Sequence, residues 1–185
     1  MKKVQGIYDD NDQLLLLATL TTHSPMMGMI FYLGVVSGLR ISDLLALTVG
    51  DISKNPFTVR ESKTKKLKHI KVPKEGWLLL QLYAEGVGLE SHGKLFPTTR
   101  QTVHRYFKRA AADLGLTNIG THTMRKTYAW NVFRVSQCLD TTRQALNHRY
   151  ISTTVLYLVG GFIWAIHTAF NGKKINTEVL PHFNT

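Results

Sequence analysis

Apolar residues near the start of the chain recur at the three- and four-residue spacing of α-helices. The stretch DDNDQLLLLATLTTH places acidic and amide side chains before an apolar run, which predicts a helix with an Asp or Asn N-cap. PMMGMIFYLGVVSG is apolar on nearly every side and predicts a buried helix, with Pro25 in its first turn and Gly38 at its end. RISDLLALTVGDI predicts a further short helix.

The period then changes to that of a β-strand. Two short runs, PFTVRES and KHIKVPK, are rich in residues that favour strands and are separated by KTKKL. We expect them to form one antiparallel hairpin whose turn and flanks are crowded with lysine.

Helical spacing returns after the hairpin and continues toward the C-terminus. Three helices are predicted from EGWLLLQLYAEGVG, TTRQTVHRYFKRAAADLG and THTMRKTYAWNVFR, the last with Thr121 as its N-cap. A short helix precedes NHRY, and Ser152 is expected to cap another through TTVLYL. Gly160 and Gly161 are expected to separate it from an apolar helix, FIWAIHTAF. The whole pattern predicts a mainly α fold with one small antiparallel β-hairpin, an α+β class.

Composition narrows the class of protein. The 185 residues suffice for one domain with a substantial core, and 44% of them are apolar. A single cysteine excludes an internal disulfide and is typical of a reducing compartment. The N-terminus has no long apolar run after its lysines, so no signal peptide is predicted. The longest apolar run, VLYLVGGFIWAI, is shorter than the roughly 20 residues that cross a bilayer, so no membrane partner is expected.

The net charge of +11 is unevenly distributed along the chain. Only three of the 23 basic side chains, but five of the 12 acidic ones, lie before residue 54. A lopsided basic surface is typical of proteins that bind nucleic acid. The alternative is a basic protein with no polyanionic partner.

Two arginines have neighbours that suit anion binding. His122 and Arg125 are three residues apart at a predicted helix start, where free N–H groups and the helix dipole favour an anion. The alternative is an exposed histidine beside a solvated arginine. Arg40 lies between two apolar segments, and Asp43 could hold its guanidinium by a bidentate contact. That pair could be purely structural, or it could orient Arg40 toward a phosphate.

A lysine, a second histidine and a tyrosine complete the set of reactive groups. The hairpin lysines are expected to face solvent or phosphate, and one of them could donate a proton. His148 precedes Tyr150, which has polar neighbours, and Tyr157, which has apolar ones. No acidic cluster suggests Mg²⁺ ligation, so no metal or other cofactor is predicted. Fixed arginines would then neutralise a phosphoryl-transfer transition state, and a tyrosine could form a covalent phosphodiester.

The order and spacing of these residues resemble the catalytic domain of the tyrosine recombinases, or phage integrases. SGLRISDLLALTVGDI is similar to the family's first-arginine box, and RESKTKKLKHIKVP to its lysine hairpin. THTMRKTYAW resembles its H-x-L-R motif, and LNHRYISTTVLYL its histidine and nucleophile motif. The resemblance implies the fold of that domain and site-specific DNA recombination through a 3′-phosphotyrosyl link, without metal or ATP.

The resemblance also implies a role for each matching residue. Arg40 and Arg125 would clamp the scissile phosphate, and Tyr157 would attack phosphorus. Lys63 would protonate the leaving 5′-oxygen, and His122 would accept the tyrosine proton or orient the phosphate. His148 would donate a hydrogen bond to a phosphate oxygen. Asp43 stands at the family's supporting acidic position. Tyr150 matches no functional position.

Several further basic residues are expected to contact DNA: Lys65, Lys66, Lys68, Arg105, Lys108, Arg109 and Lys126. Lys65 or Lys66 would replace Lys63 as proton donor if the hairpin register is shifted. Asn147 stands where the family usually has glycine, and Lys126 where it often has histidine.

The resemblance implies one catalytic domain at residues 1–160, followed by a tail at 161–185. The family's usual N-terminal DNA-clamping domain is absent from this sequence, which suggests a fragment or a minimal recombinase like the fimbrial-switch invertases. Expected partners are double-stranded DNA, further copies in a tetramer and accessory DNA-bending proteins, in a bacterial cytoplasm with the nucleoid. The tail helix could dock on a neighbouring copy or fold back on its own domain. Alternative functions are a type IB topoisomerase and a non-cleaving DNA-binding protein.

Overall fold

The computed structural model describes residues 4–169. That part of the chain contains eight α-helices and a single two-stranded sheet. The helices are α1 (Asp10–His23), α2 (Pro25–Ser37), α3 (Ile41–Leu44), α4 (Lys74–Gly86), α5 (Arg100–Asp113), α6 (Thr123–Ser136), α7 (Leu139–Ala145) and α8 (Ile151–Ala169). The mainly α fold with one hairpin that the sequence predicts is confirmed.

The first two helices begin and end at the residues that the sequence indicates. The Asp9 carboxylate caps α1 by accepting from the backbone N–H of Asn11 at 2.8 Å. Pro25 occupies the first turn of α2, where its missing N–H costs no hydrogen bond. Gly38 ends α2 in the left-handed conformation, with φ of 62°.

The two strands, β1 (Phe57–Arg60) and β2 (Leu67–Ile70), form the predicted antiparallel hairpin. Phe57 pairs with Ile70 at the open end, and Arg60 pairs with Leu67 next to the turn. Successive side chains of a strand point to opposite faces. Lys68 and Ile70 of β2 are therefore buried together, while Leu67 and His69 are exposed.

Two apolar clusters hold the helices together. The larger is built mainly from α1, α2, α5 and the hairpin, and includes an edge-to-face contact between Phe31 and Phe107. The smaller contains Tyr8, Trp130 and Leu158 and joins α6 to α7 and α8. Because α6 also packs on α2, it links both clusters.

Two predicted helix starts are wrong by one or two residues. Thr121 does not cap α6, which begins at Thr123 with His122 at the N-cap position and no side-chain cap. The Thr123 hydroxyl instead accepts from the Gly120 N–H at 3.0 Å and donates to the Gln5 carbonyl at 2.7 Å. Ser152 likewise lies inside α8, which begins at Ile151.

The predicted break at Gly160 and Gly161 is also wrong, because α8 runs through both residues. A Cβ atom on Gly160 would lie 2.2 Å from the Tyr8 hydroxyl, and one on Gly161 would lie 2.2 Å from Trp130. These glycines therefore allow close packing and do not act as a hinge. The proposed boundary between residues 160 and 161 falls within one helix.

The described part of the tail packs on its own domain. Phe162 and Trp164 of α8 both make edge-to-face contacts with Trp130, at centroid distances of 6.0 and 6.2 Å. Docking of this segment in cis is the arrangement in the structure. The rest of the predicted tail, residues 170–185, lies outside the described residues.

By length and composition alone, α8 could cross a membrane, which the sequence pattern did not lead us to expect. Helices that pack on a protein core also pass this test. The aromatic contacts with Trp130 account for one apolar side of α8.

We expect Gly161→Ala to destabilise the fold, because its methyl group would overlap the buried Trp130 ring. Overpacking of this kind costs about 1–3 kcal/mol in the free energy of unfolding. Chemical denaturation followed by circular dichroism would measure the loss. Gly86→Ala is the matched control, since that helical glycine has open space around it. Equal stability of the two variants would contradict the close packing of α8.

Candidate active site

Arg40 lies just after the end of α2, at the N-cap position of α3. Its side chain is 17% exposed, so it is only partly buried. Nη1 donates to Oε1 of Glu61 at 2.9 Å. Arg40 is thus held from beneath by a carboxylate while other N–H donors of its fork remain available.

Arg125 lies in the first turn of α6, and its side chain is only 1% exposed. Nη1 donates to the Gly38 carbonyl at 2.6 Å and to Oε1 of Glu61 at 3.2 Å. Nη2 donates to the Leu146 carbonyl at 2.5 Å. Nε is buried and has no hydrogen-bond partner in the structure. Arg125 therefore joins the ends of α2 and α7 and retains one unsatisfied donor.

Glu61 is a residue of this site that the sequence motifs did not identify. It directly follows β1, is fully buried, and binds both arginines through Oε1. Burial raises the pKa of Glu61, but the Thr64 hydroxyl and the charges of Arg125 and Arg40 leave it below its usual value. The only available signal was that two arginines buried between apolar segments require an anion.

Asp43 does not hold Arg40 in the expected bidentate contact. Its Oδ1 accepts from the backbone N–H of Ser62 at 3.0 Å and from the Ser62 hydroxyl at 2.6 Å. Asp43 is buried, and its contacts with Ser62 join α3 to the hairpin. Glu61, and not Asp43, is the carboxylate that binds Arg40.

The hairpin lysines separate into buried and exposed positions. Lys68, which we predicted as a DNA-contacting residue, is buried on the inward face of β2. Its Nζ has no hydrogen-bond partner and lies 4.7 Å from the centroid of the Tyr128 ring. Burial and the charge of Arg125 lower the pKa of Lys68 to about 7. In this conformation the buried ammonium of Lys68 does not contact DNA directly. It can act on a bound phosphate only through its charge.

Lys63 is exposed in the turn of the hairpin. The structure does not bring it into the arginine pair, so its role as proton donor stays a prediction. Lys65 and Lys66, the two alternatives, are exposed in the same turn.

His122 stands at the start of α6, three residues from Arg125, with much of its surface exposed. Partial burial and the charges of Arg100 and Lys126 lower its pKa. The arginine pair lowers it further, so the neutral imidazole is favoured. A neutral ring beside cations can accept a proton.

His148 and Tyr157 lie against each other. Their ring centroids are 4.9 Å apart in an edge-to-face arrangement, and His148 is buried. Nδ1 of His148 lies 3.1 Å from the Thr154 hydroxyl. Burial and the charges of Arg125 and Arg40 lower the pKa of His148 to about 4, so its ring is neutral at physiological pH.

Tyr157 is half-buried on α8 and packs against the smaller apolar cluster. Nζ of Lys126 lies 5.7 Å from the centroid of its ring. The electrostatic influence of Tyr157 also reaches Arg125. Tyr150, in contrast, is 58% exposed and contacts the Arg149 guanidinium. Of the two tyrosines, Tyr157 is the one that lies against His148.

Three other predicted DNA-contacting residues lie on the exposed face of α5: Arg105, Lys108 and Arg109. Their contact with DNA stays a prediction. Among residues 4–169, no three or more His, Cys, Asp or Glu side chains cluster in a way that could hold a metal ion.

The sequence and the fold have counterparts in known proteins. The model of the phage integrase family matches residues 8–159. A probable integrase/recombinase of Bacillus subtilis, YoeC, is 34% identical over 137 residues, which cover 70% of this chain and 75% of that protein. Tyrosine recombinase XerA of Saccharolobus solfataricus is 31% identical over 123 residues, covering 65% of this chain but 41% of XerA. The chain therefore spans less than half the length of that relative.

Solved structures share the fold at lower identity. A XerA recombinase matches 94% of this chain and 66% of its own, with a TM-score of 0.71 and 18% identity. The catalytic domain of bacteriophage HP1 integrase matches 97% of this chain and 99% of its own, with a TM-score of 0.66 and 20% identity. A lambda integrase tetramer bound to a Holliday junction matches 85% of this chain and 49% of its own, with a TM-score of 0.66 and 20% identity. On the family match and the Bacillus relative, this chain belongs to the phage integrase family.

Proposed function

We propose that the chain is the catalytic domain of a site-specific DNA recombinase. It would cleave and rejoin strands through a covalent 3′-phosphotyrosyl intermediate, with no requirement for a metal or ATP. The observation that carries the proposal is that Arg40 and Arg125 share the Glu61 carboxylate, and that their charges act on a neutral His148, which contacts Tyr157. Membership of the phage integrase family supports it.

In the cleavage step, the Tyr157 oxygen attacks phosphorus and the bond from phosphorus to the 5′-oxygen breaks. His122 accepts the tyrosine proton, and a hairpin lysine gives a proton to the departing 5′-oxygen. One phosphodiester replaces another, so the bond energy is retained. Attack by a 5′-hydroxyl on the phosphotyrosine then rejoins a strand and releases Tyr157.

The arginine pair suits the charge that develops in this step. A pentacoordinate phosphorus places negative charge on its non-bridging oxygens, and fixed guanidinium groups stabilise that charge without reorganising. Arg40 is partly exposed and uses only Nη1 for Glu61, and Nε of Arg125 is still unsatisfied. His148 would add a hydrogen bond to a phosphate oxygen.

The proposed partners are double-stranded DNA and further copies of the chain, with accessory DNA-bending proteins in a bacterial or phage-infected cytoplasm. The net charge of +11 supports DNA as a binding partner. The lambda integrase structure, a tetramer on a Holliday junction, supports a tetramer for this chain.

Tyr157→Phe should abolish covalent capture of DNA, because the phenyl ring has no nucleophilic oxygen. A pool of nicked duplexes with randomised sequence serves as the substrate, and denaturing gels show the adduct. Tyr150→Phe, at an exposed tyrosine, is the control and should capture DNA as the wild type does. An undiminished adduct with Tyr157→Phe would refute the nucleophile. Binding without any wild-type adduct would favour a non-cleaving protein, and relaxation of supercoils without a preferred site would favour a type IB topoisomerase.

Lys63→Ala should slow cleavage by roughly 10²–10⁴-fold, the usual contribution of a general acid. Replacing the leaving 5′-oxygen of the captured duplex with sulfur should restore the rate, because a thiolate leaves without a proton. Single-turnover cleavage of the two substrates measures this. Lys65→Ala and Lys66→Ala are the matched controls in the same exposed turn. If Lys65→Ala or Lys66→Ala slowed cleavage and the sulfur substrate restored its rate, while Lys63→Ala stayed active, that other lysine would be the proton donor.

DNA affinity should fall as the pH rises through about 7, where Lys68 loses its proton in the free protein. A bound phosphate favours the charged lysine, so binding is coupled to proton uptake above this pH. We expect the Kd to rise about tenfold between pH 6 and pH 8 if the bound lysine stays protonated. Fluorescence anisotropy at constant salt measures the Kd. Lys68→Met should flatten the profile, and an equally steep profile in that variant would exclude Lys68.

A further inference from the structure

Glu61 places a negative charge where the proposed reaction needs a positive pocket. Its carboxylate is fully buried, and one oxygen, Oε1, accepts from both Arg40 and Arg125. Removal of three charged groups from water is costly, so stability alone is a weak reason for such a cluster. A shared acceptor does, however, fix the distance and tilt of two guanidinium groups relative to each other.

The second oxygen of Glu61 reaches two other parts of the site. Oε2 accepts from the Thr64 hydroxyl at 2.8 Å, inside the turn that carries Lys63. It also accepts from Nδ2 of Asn147 at 3.1 Å. The single carboxylate of Glu61 therefore contacts the arginine pair, the lysine turn and the segment that precedes His148.

Asn147 has both the backbone and the side chain for this contact. Its φ is 54°, a left-handed conformation that glycine and asparagine adopt most readily. Besides Glu61, its Nδ2 also lies 3.4 Å from the Leu67 carbonyl of β2. The residue before it, Leu146, gives its carbonyl to Arg125. Glycine, the residue usual at this place in the motif, could adopt the backbone but could not donate to Glu61.

We propose that Glu61 and Asn147 are positioning residues of the strand-transfer site, with Glu61 orienting Arg40 and Arg125 and Asn147 aligning the His148 segment with them. This inference rests on the proposed recombinase function. It assigns to the asparagine of this chain a hydrogen bond that a glycine lacks.

The role predicts opposite effects on binding and on catalysis. Glu61→Gln keeps the shape of the side chain but removes its charge, so the two arginines attract phosphate more strongly. We expect the Kd for DNA to stay the same or to fall a few-fold. Single-turnover cleavage should slow about 10–100-fold, because misplaced groups lose their advantage in the transition state. A purely structural defect would weaken binding and cleavage together.

Asn147→Gly tests the proposed role of Asn147 in aligning the His148 segment, because glycine can keep the left-handed backbone conformation. Loss of the hydrogen bonds that Nδ2 donates to Glu61 and to the Leu67 carbonyl should slow cleavage about 2–10-fold and leave the Kd unchanged. The control is Asn118→Gly, at another left-handed asparagine whose φ is 59° and which lies outside the site. It should cleave at the wild-type rate.

The double variant shows whether Asn147 acts through Glu61. In a Glu61→Gln background, Asn147→Gly should slow cleavage further by less than it does alone, because the shared contact is already altered. Fully multiplicative effects would overturn the link between the two residues.

The experiment uses the full chain, the duplex captured by wild type, and separate measurements of Kd and cleavage rate. Slow cleavage with undiminished affinity in Glu61→Gln supports the positioning role. A wild-type cleavage rate in Glu61→Gln, or a parallel loss of affinity and rate, overturns that role but leaves the recombinase assignment intact. Absence of any wild-type adduct overturns both.

Discussion

Arg40 and Arg125 carry like charges, and the buried carboxylate of Glu61 supplies the anion that they share. The other elements of the site are arranged around this contact. Arg125 is further fixed by the carbonyls of Gly38 and Leu146, so the ends of α2 and α7 meet at its guanidinium. Removing the carboxylate would leave two uncompensated cations among apolar helices.

The hairpin has little apolar surface of its own, yet it organises the polar centre. The segment that follows β1 contributes Glu61 to the arginines and Ser62 to the buried Asp43 of α3. The inward face of β2 adds Lys68. Because burial and nearby cations lower the pKa values of both Lys68 and His148, the charge of the pocket responds to a bound anion. A two-stranded element of this size is held in place mainly by its contacts with the rest of the site.

The smaller apolar cluster has a different task, which is to place Tyr157, the proposed nucleophile. Tyr157 lies on α8, whose glycines allow the helix to press against Tyr8 and Trp130. That packing sets the distance between the Tyr157 and His148 rings. A helix break at Gly160 would have left this face of α8 without its aromatic contacts.

The sequence by itself determined most of the helices, the hairpin and the family to which the chain belongs. Local signals such as the Asp9 cap, Pro25 and Gly38 act within a few residues, and motif spacing does not depend on packing. Only the tertiary structure decided which acidic residue meets Arg40, whether Lys68 is buried and whether Gly160 bends the chain. The Arg40–Glu61 contact joins residues 21 positions apart and the Arg125–Glu61 contact joins residues 64 apart. No periodicity reports such distances, because they depend on how whole elements pack against one another.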